Sequence, residues 1–313
     1  MTRCSNPRPT TRIAPRMASR IAPRIGCTLA VLAAAAGVCS GVPGTDDRED
    51  RPTTTAVERA QFDTVDDLLT AVEARDREIH TLRGMIRHTT VNTLANDTQS
   101  RDGELFLETD WDDVVKGEPN RKFAIRFDTF RAGNVVRDEL RWFVFDGEWV
   151  IEVLPKEKEF NKWQVVPPGA RLDPFEDPGN TPFWLPMGRE KDRIERIAET
   201  EMLAPTEWLE GEEMPSSLAE FVTRSNTVQL RLIPREGTKF AEKWDDVRIW
   251  FSRDTLLPVL YVAVDPSGDQ RIAQLFRVQT NVDMDPKTFV TTSPDPESGW
   301  NVTVQQYRGD SDG

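Results

Sequence analysis

Residues that carry chemistry are scarce in this chain. Its three cysteines stand at positions 4, 27 and 39, so everything beyond Cys39 is without a thiol. Neither a disulfide framework nor a cysteine-based zinc site can be built there. Histidine occurs twice, as His80 and His88. A Ser–His–Asp triad could draw only on those two, and no G-x-S-x-G elbow accompanies them. Glycine-rich phosphate loops are missing as well. No apolar run approaches the roughly 18 residues that a membrane-spanning helix needs. Acid clusters exist at Asp110, Asp112 and Asp113 and at Glu210, Glu212 and Glu213, but neither has calcium-loop spacing. No carboxylate pair stands out for glycoside hydrolysis. The expectation is a chain that is not an enzyme, with no catalytic residue, no metal and no cofactor.

The first 41 residues hold no acid and six arginines, followed by the apolar run TLAVLAAAAGV at Thr28 to Val38 and then Cys39, Ser40 and Gly41. A basic region, a short apolar stretch and small residues are the layout of a secretory signal. A start at Met17 leaves the compact basic region MASRIAPRIG. Val38 stands where lipoprotein signals place a small residue, which sets acylation at Cys39 against ordinary cleavage nearby. The chain is therefore expected in the periplasm or cell envelope, free or lipid-anchored at Cys39. Residues 42–61 read as a flexible polar linker, 62–307 as one domain that holds all nine tryptophans, and 308–313 as a polar tail. Setting the six leader arginines aside leaves 34 basic residues against 53 acidic, a formal balance of about −19. Such a body repels nucleic acid and anionic membrane surfaces.

The most informative stretch is LRWFVFDGEWVIEVLP, Leu140 to Pro155. Asp146-Gly147 between two apolar runs is a hairpin signal. A two-residue loop at those positions pairs Val144 with Trp149 and Trp142 with Ile151. One face then carries only Leu140, Trp142, Val144, Trp149, Ile151 and Val153. The other mixes Phe143 and Val150 with the pair Arg141 and Glu152. A sheet with so apolar a face must be covered.

An amphipathic helix opens the body. Thr64 caps it, Asp67 reaches back, and Val65, Leu68, Leu69, Val72 and Ile79 recur at helical spacing, with its end marked by His80 and Gly84. Strands follow at 85–91, 103–109 and 122–130, where Phe123, Ile125 and Phe127 share a face. Further strands are expected across the hairpin and at 159–166, 227–233, 246–251, 256–264, 271–280 and 300–307. Short turn-rich links favour an antiparallel meander of about ten strands. Between them, Pro167 to Gly188 holds six prolines around Phe183, Trp184, Leu185 and Met187. Prolines keep that segment from being a regular strand, so it reads as a lid or a plug over the apolar sheet face. Arg189 to Met202 reads as a helix.

The order of these elements resembles the LolA/LolB-like superfamily of outer-membrane lipoprotein carriers. The resemblance runs from the opening helix VDDLLTAVEARDREIHTLRGMIRHT through the KFAIRF strand, the Asp-Gly hairpin and QLRLIP to DVRIWFSRDTLLPVLYVAVDPSGDQRIAQLFRVQTNVDM and Phe289. The segment TPFWLPMGREKDRIERIAE is more similar to secreted bacterial relatives of that fold than to true LolA. The family implies an α+β fold: a large curved antiparallel sheet, an incomplete β-barrel, with helices covering its concave face. That face would hold a lipid or an acylated peptide. Glu118 stands where LolA has an arginine that helps latch the lid, and Trp111 to Gly117 resembles an insertion, so the fold is implied more firmly than loading and release. The expected cavity residues are Phe123, Ile125, Phe127, Leu140, Trp142, Val144, Trp149, Ile151 and Val153, with Phe183, Trp184, Leu185 and Met187 as lid. The rival expectation is an envelope sensor or interaction module with a plugged core and a protein partner. A carboxylate-dependent hydrolase is the weaker third.

Overall fold

A computed structural model of the chain describes residues 61–115, 118–170, 191–209 and 216–307. These lie within one compact unit, Thr55–Gly313.

The opening helix α1, Val65–Arg77, begins as the sequence dictates. Thr64 is extended and accepts the Asp67 N–H at 3.1 Å, while its hydroxyl donates to the Asp67 carboxylate at 2.7 Å. Asp66 and Asp67 sit at its positive end and Arg75 and Arg77 at its negative end, the order that the helix dipole favours. Leu68, Leu69 and Val72 form its buried stripe. The helix stops before His80 and Gly84. The Ile79 N–H bonds back to the Asp76 carbonyl, and the chain enters β1, Thr81–Asn92. Gly84 serves this strand instead, because a Cβ there would stand 3.2 Å from Val278 Cγ2.

The sheet grows from two antiparallel meanders. The first comprises β1, β2 (Asp97–Val115), β3 (Glu118–Ala132), β4 (Val135–Phe145), β5 (Trp149–Leu154) and β6 (Glu159–Gln164). The second comprises β7 (Ala198–Leu203), β8 (Thr227–Pro234), β9 (Asp246–Ser252), β10 (Pro258–Val264) and β11 (Gln270–Thr280). Pairing of β1 with β11 fuses them, and β12 (Asn301–Gln305) adds to β6, giving the order β12-β6-β5-β4-β3-β2-β1-β11-β10-β9-β8-β7 among the described residues. The described strands do not close on one another, so this is the open, incomplete barrel that the sequence suggests. Among the described residues it has twelve strands rather than ten, and β12 runs parallel to β6, not antiparallel.

The expected helix at 189–202 is cut short. Helix α2 spans Lys191–Ile197, and the chain then becomes edge strand β7. Strand β8 is buried along most of its length and needs a partner for its ladder groups. Glu199 and Glu201 face Ile233 and Arg231 there, and their carboxylates pair with Arg235 and Arg231. Two helices had no sequence forecast: α3, Ser216–Arg224, and α4, Lys239–Lys243.

The two faces of the sheet are covered differently. On the concave face, α1, Ile194 of α2 and Phe240 of α4 pack on Leu230, Ile249, Phe251, Tyr261 and Ala273. The convex face has two separate covers. Leu218 and Val222 of α3 pack on Trp250, Leu260, Val262 and Ile272. At the other end, Met284, Phe289, Trp300 and Val302 of the C-terminal segment lie on Phe106, Ala124, Val144, Ile151, Val153 and Phe160.

Candidate functional site

The concave face is apolar across strands β1 to β5. Phe123, Phe127, Phe145 and Val150 are no more than 1% exposed, and Ile86, Leu105, Ile125 and Phe143 join them in one cluster. Phe123 and Phe145 stack with ring centroids 5.5 Å apart, while Phe127 and Phe143 meet edge to face at 6.5 Å. Paired residues on antiparallel strands share a face, and the register Phe123↔Phe145 and Ile125↔Phe143 builds this wall directly.

The hairpin register differs from the sequence expectation by two residues. Phe145 pairs with Val150, Val144 with Ile151 and Trp142 with Val153. The tip is Gly147-Glu148, because the Asp146 carboxylate accepts the N–H groups of Glu148 (3.1 Å) and Trp149 (2.8 Å) instead of entering the turn. Gly147 takes φ +103°. A slip of two keeps every side chain on its face, so the apolar set survives intact.

What changes is where that set points. Trp142, Val144, Ile151 and Val153 belong to the convex face, behind the wall formed by Phe123, Ile125 and Phe127. The nine residues expected to line one cavity are therefore divided by the sheet itself. Trp149 is on the convex side too, with the Lys162 ammonium 4.6 Å from its ring centroid. Leu140 is half-buried beside the irregularity that interrupts the β3–β4 pairing. The residues that complete the wall are Phe143, Phe145 and Val150, on the hairpin face that looked mixed in sequence. The expected lid residues Phe183, Trp184, Leu185 and Met187 lie outside the described residues.

Helix α1 closes one end of the concave face. Beneath it runs an apolar crevice of about 10 Å³ lined by residues that include Val72, Ile79, Leu82, Leu107 and Leu257. Its C-terminal end is fixed by an ion pair. The Arg121 guanidinium, 2% exposed on β3, donates to the Asp76 carboxylate, 12% exposed, at 2.7 Å. Trp111 lies over that guanidinium at 4.8 Å and donates its indole N–H to the Ile79 carbonyl at 3.1 Å. The stretch from Trp111 that resembled an insertion thus helps to clamp α1. Arg121 was not foreseen; the only signal was an arginine in step with the apolar face of Phe123, Ile125 and Phe127.

The two histidines are far apart in role. His80 is exposed, and its backbone N–H donates to Asn281 Oδ1 at 2.9 Å. His88 projects from β1 toward Phe127, ring centroids 6.5 Å apart. Burial, and then the charges of Arg271 and Arg101, lower its pKa to about 3. It is neutral at physiological pH. Asp110 braces the irregular stretch of β2 by accepting the N–H groups of Asp112 and Asp113, while Glu210, Glu212 and Glu213 lie outside the described residues. The described residues bring no group of three His, Cys, Asp or Glu side chains together as a metal site.

No family model matches the chain, and no curated protein matches it. Solved structures do. An uncharacterised conserved protein from Thermus thermophilus is 9% identical, with 76% of this chain and 98% of that one covered at a TM-score of 0.39. A DUF1329 family protein from Desulfovibrio piger is 13% identical over 72% and 95%, TM-score 0.36. A putative outer membrane lipoprotein-sorting protein domain from Vibrio parahaemolyticus is 12% identical over 71% and 94%, TM-score 0.33. Similarity at these levels bears on none of the residues named above; the open barrel is read from the strand order of this chain alone.

Proposed function

We propose that this chain is an exported cell-envelope protein that holds a lipid or acyl chain against its concave face, and that the arrangement with α1 seated is its closed form. The leader-like residues 1–41 and the polar stretch 42–61 support export and tethering. One observation carries the binding role: an aromatic wall at Phe123, Phe127, Phe143 and Phe145 lies on the concave side and continues under a short amphipathic helix. Such a site works by burial, not by catalysis.

Magnitudes decide what could open it. Lifting α1 uncovers Leu68, Leu69 and Val72, at about 1.5–3 kcal/mol each, so about 5–9 kcal/mol in all. An acyl chain regains about 0.8 kcal/mol per buried methylene. Around ten methylenes are needed to offset the opening, so chains of C14 to C18 bind and chains of C6 do not. The test is solvent extraction of the natively purified protein followed by mass spectrometry, with titration of fluorescent acyl probes of graded length. An empty protein that takes up no C16 probe overturns the proposal.

The small size of the crevice favours a second reading. Ligand pockets typically measure about 300 Å³ or more, against about 10 Å³ beneath α1. An interaction module with a filled core fits that value, and length-independent failure of every acyl probe would select it.

A further inference from the structure

The concave wall ends in a polar cleft of about 310 Å³, lined in part by Arg101, Arg137, Arg141, Lys156, Leu140 and Leu154. Cross-strand register places it there: His88 pairs with Arg101, Arg101 with Phe130, Phe130 with Arg137, and Phe127 with Arg141. The last turn of apolar wall thus passes directly into a basic rim. Arg141 lies 5.2 Å from the Phe143 ring centroid, so one guanidinium touches both.

We infer that this cleft seats the anionic headgroup, a phosphate or carboxylate, of an amphiphile whose chain lies on the Phe127–Phe143 wall; the inference rests on the acyl-binding role proposed above. Three features support it. First, the guanidiniums are held in place before any ligand arrives. The Phe130 ring has Arg101 at 4.8 Å and Arg137 at 4.6 Å, and the Glu139 carboxylate accepts from both, at 2.9 and 3.2 Å. Secondly, a single carboxylate, Glu139, serves the guanidiniums of both Arg101 and Arg137, so those two cations are matched locally by one negative charge. Arg141 is matched by Glu152, but Lys156 donates to the neutral Asp138 carbonyl at 2.9 Å. Asp138 and Glu157 also line the cleft, and with Glu139 and Glu152 they formally balance its cations, so the selectivity expected is moderate and comes from the under-matched Arg101 and Arg137. Thirdly, Arg137 is 62% exposed and presents its remaining N–H groups to solvent, in the fork geometry that matches carboxylate and phosphate.

The experiment compares a C16 lysophosphatidic acid with a C16 monoacylglycerol, which differ only in the headgroup, on the native protein and on the double variant R137Q/K156Q. Both substitutions are at the surface, and thermal melts confirm the fold. Inorganic phosphate is titrated separately by thermal shift. The native protein is expected to prefer the anionic amphiphile at least tenfold, and the variant to lose that preference while keeping its monoacylglycerol affinity. Equal affinities in the native protein, or an unchanged preference in the variant, overturn the headgroup assignment and leave acyl binding standing. If neither amphiphile binds but phosphate stabilises the native protein and not the variant, the acyl role falls and an anion cleft remains. If phosphate is also without effect, both fall.

Discussion

Loosening α1 should make the protein less stable and a better acyl binder at the same time. The perturbation is Asp76→Asn. It removes the charge that faces Arg121, whose side chain is 2% exposed. Breaking a buried pair by removing one partner costs about 3–5 kcal/mol, because the remaining charge stays buried with less compensation. The amide still accepts a hydrogen bond, so about 3 kcal/mol is expected. Urea unfolding followed by tryptophan fluorescence measures it, with Arg77→Ala as control. Arg77 is paired with Glu73 on the exposed side of the same helix, 63% and 26% exposed, and such pairs contribute about 0.2–1 kcal/mol. If α1 must lift for a chain to enter, the same amount, about 3 kcal/mol, comes off the opening cost, and apparent affinity for a C16 chain rises about a hundredfold. A fall in stability with unchanged or weaker acyl binding would refute the idea that α1 is the gate. A loss below about 1 kcal/mol would refute the reasoning about the buried pair itself.

Three further outcomes follow from the same structure. A Cβ at Gly103 would stand 2.2 Å from the Arg126 carbonyl oxygen, so Gly103→Ala should be recovered as little or no folded protein, whereas a Cβ at Gly84 meets the Val278 side chain at 3.2 Å and backbone no nearer than 3.5 Å, so Gly84→Ala should cost about 1 kcal/mol by urea unfolding. Phe289 is 8% exposed on the convex cluster; Phe289→Ala should cost about 3–5 kcal/mol and raise proteolysis within the C-terminal segment, seen by mass spectrometry of the digest. His88 has a folded pKa of about 3, below its unfolded value of 6.5. The unfolded chain therefore binds the proton first, so its contribution is whole above pH 6.5 and is lost as pH falls toward 3. Discounted for partial solvent contact, the loss is about 2–4 kcal/mol. Urea midpoints for the native protein and His88→Gln should converge as pH falls, and a difference that is constant with pH would count against it.

The sequence by itself determined the elements whose signals are local. Thr64 with Asp67 starts α1 because a cap needs only neighbouring residues. Alternation in KFAIRFDTF and in the 140–155 hairpin sorts side chains to two faces whatever the register, since a slip of two residues preserves parity. Short links between strands imply antiparallel neighbours, and that places β1 to β6 correctly. The scarcity of Cys and His restricts the chemistry from the outset.

Only the tertiary structure decided which face is which. Trp142, Val144, Ile151 and Val153 look like a cavity wall because apolarity says a face is covered but not by what. The cover is Met284, Phe289, Trp300 and Val302, more than a hundred residues downstream, and so these side chains are convex. The wall proper needs Phe143 and Phe145, which seemed compromised in sequence by the neighbouring Arg141 and Glu152. Those two pair with each other at the end of the wall, a cancellation that depends on cross-strand geometry. Strand β7 exists because β8 required a ladder partner, and the Asp76–Arg121 pair joins residues 45 apart. Covering, pairing and clamping are contacts between distant segments. Composition and periodicity show that such contacts must be made, and the fold selects the partners.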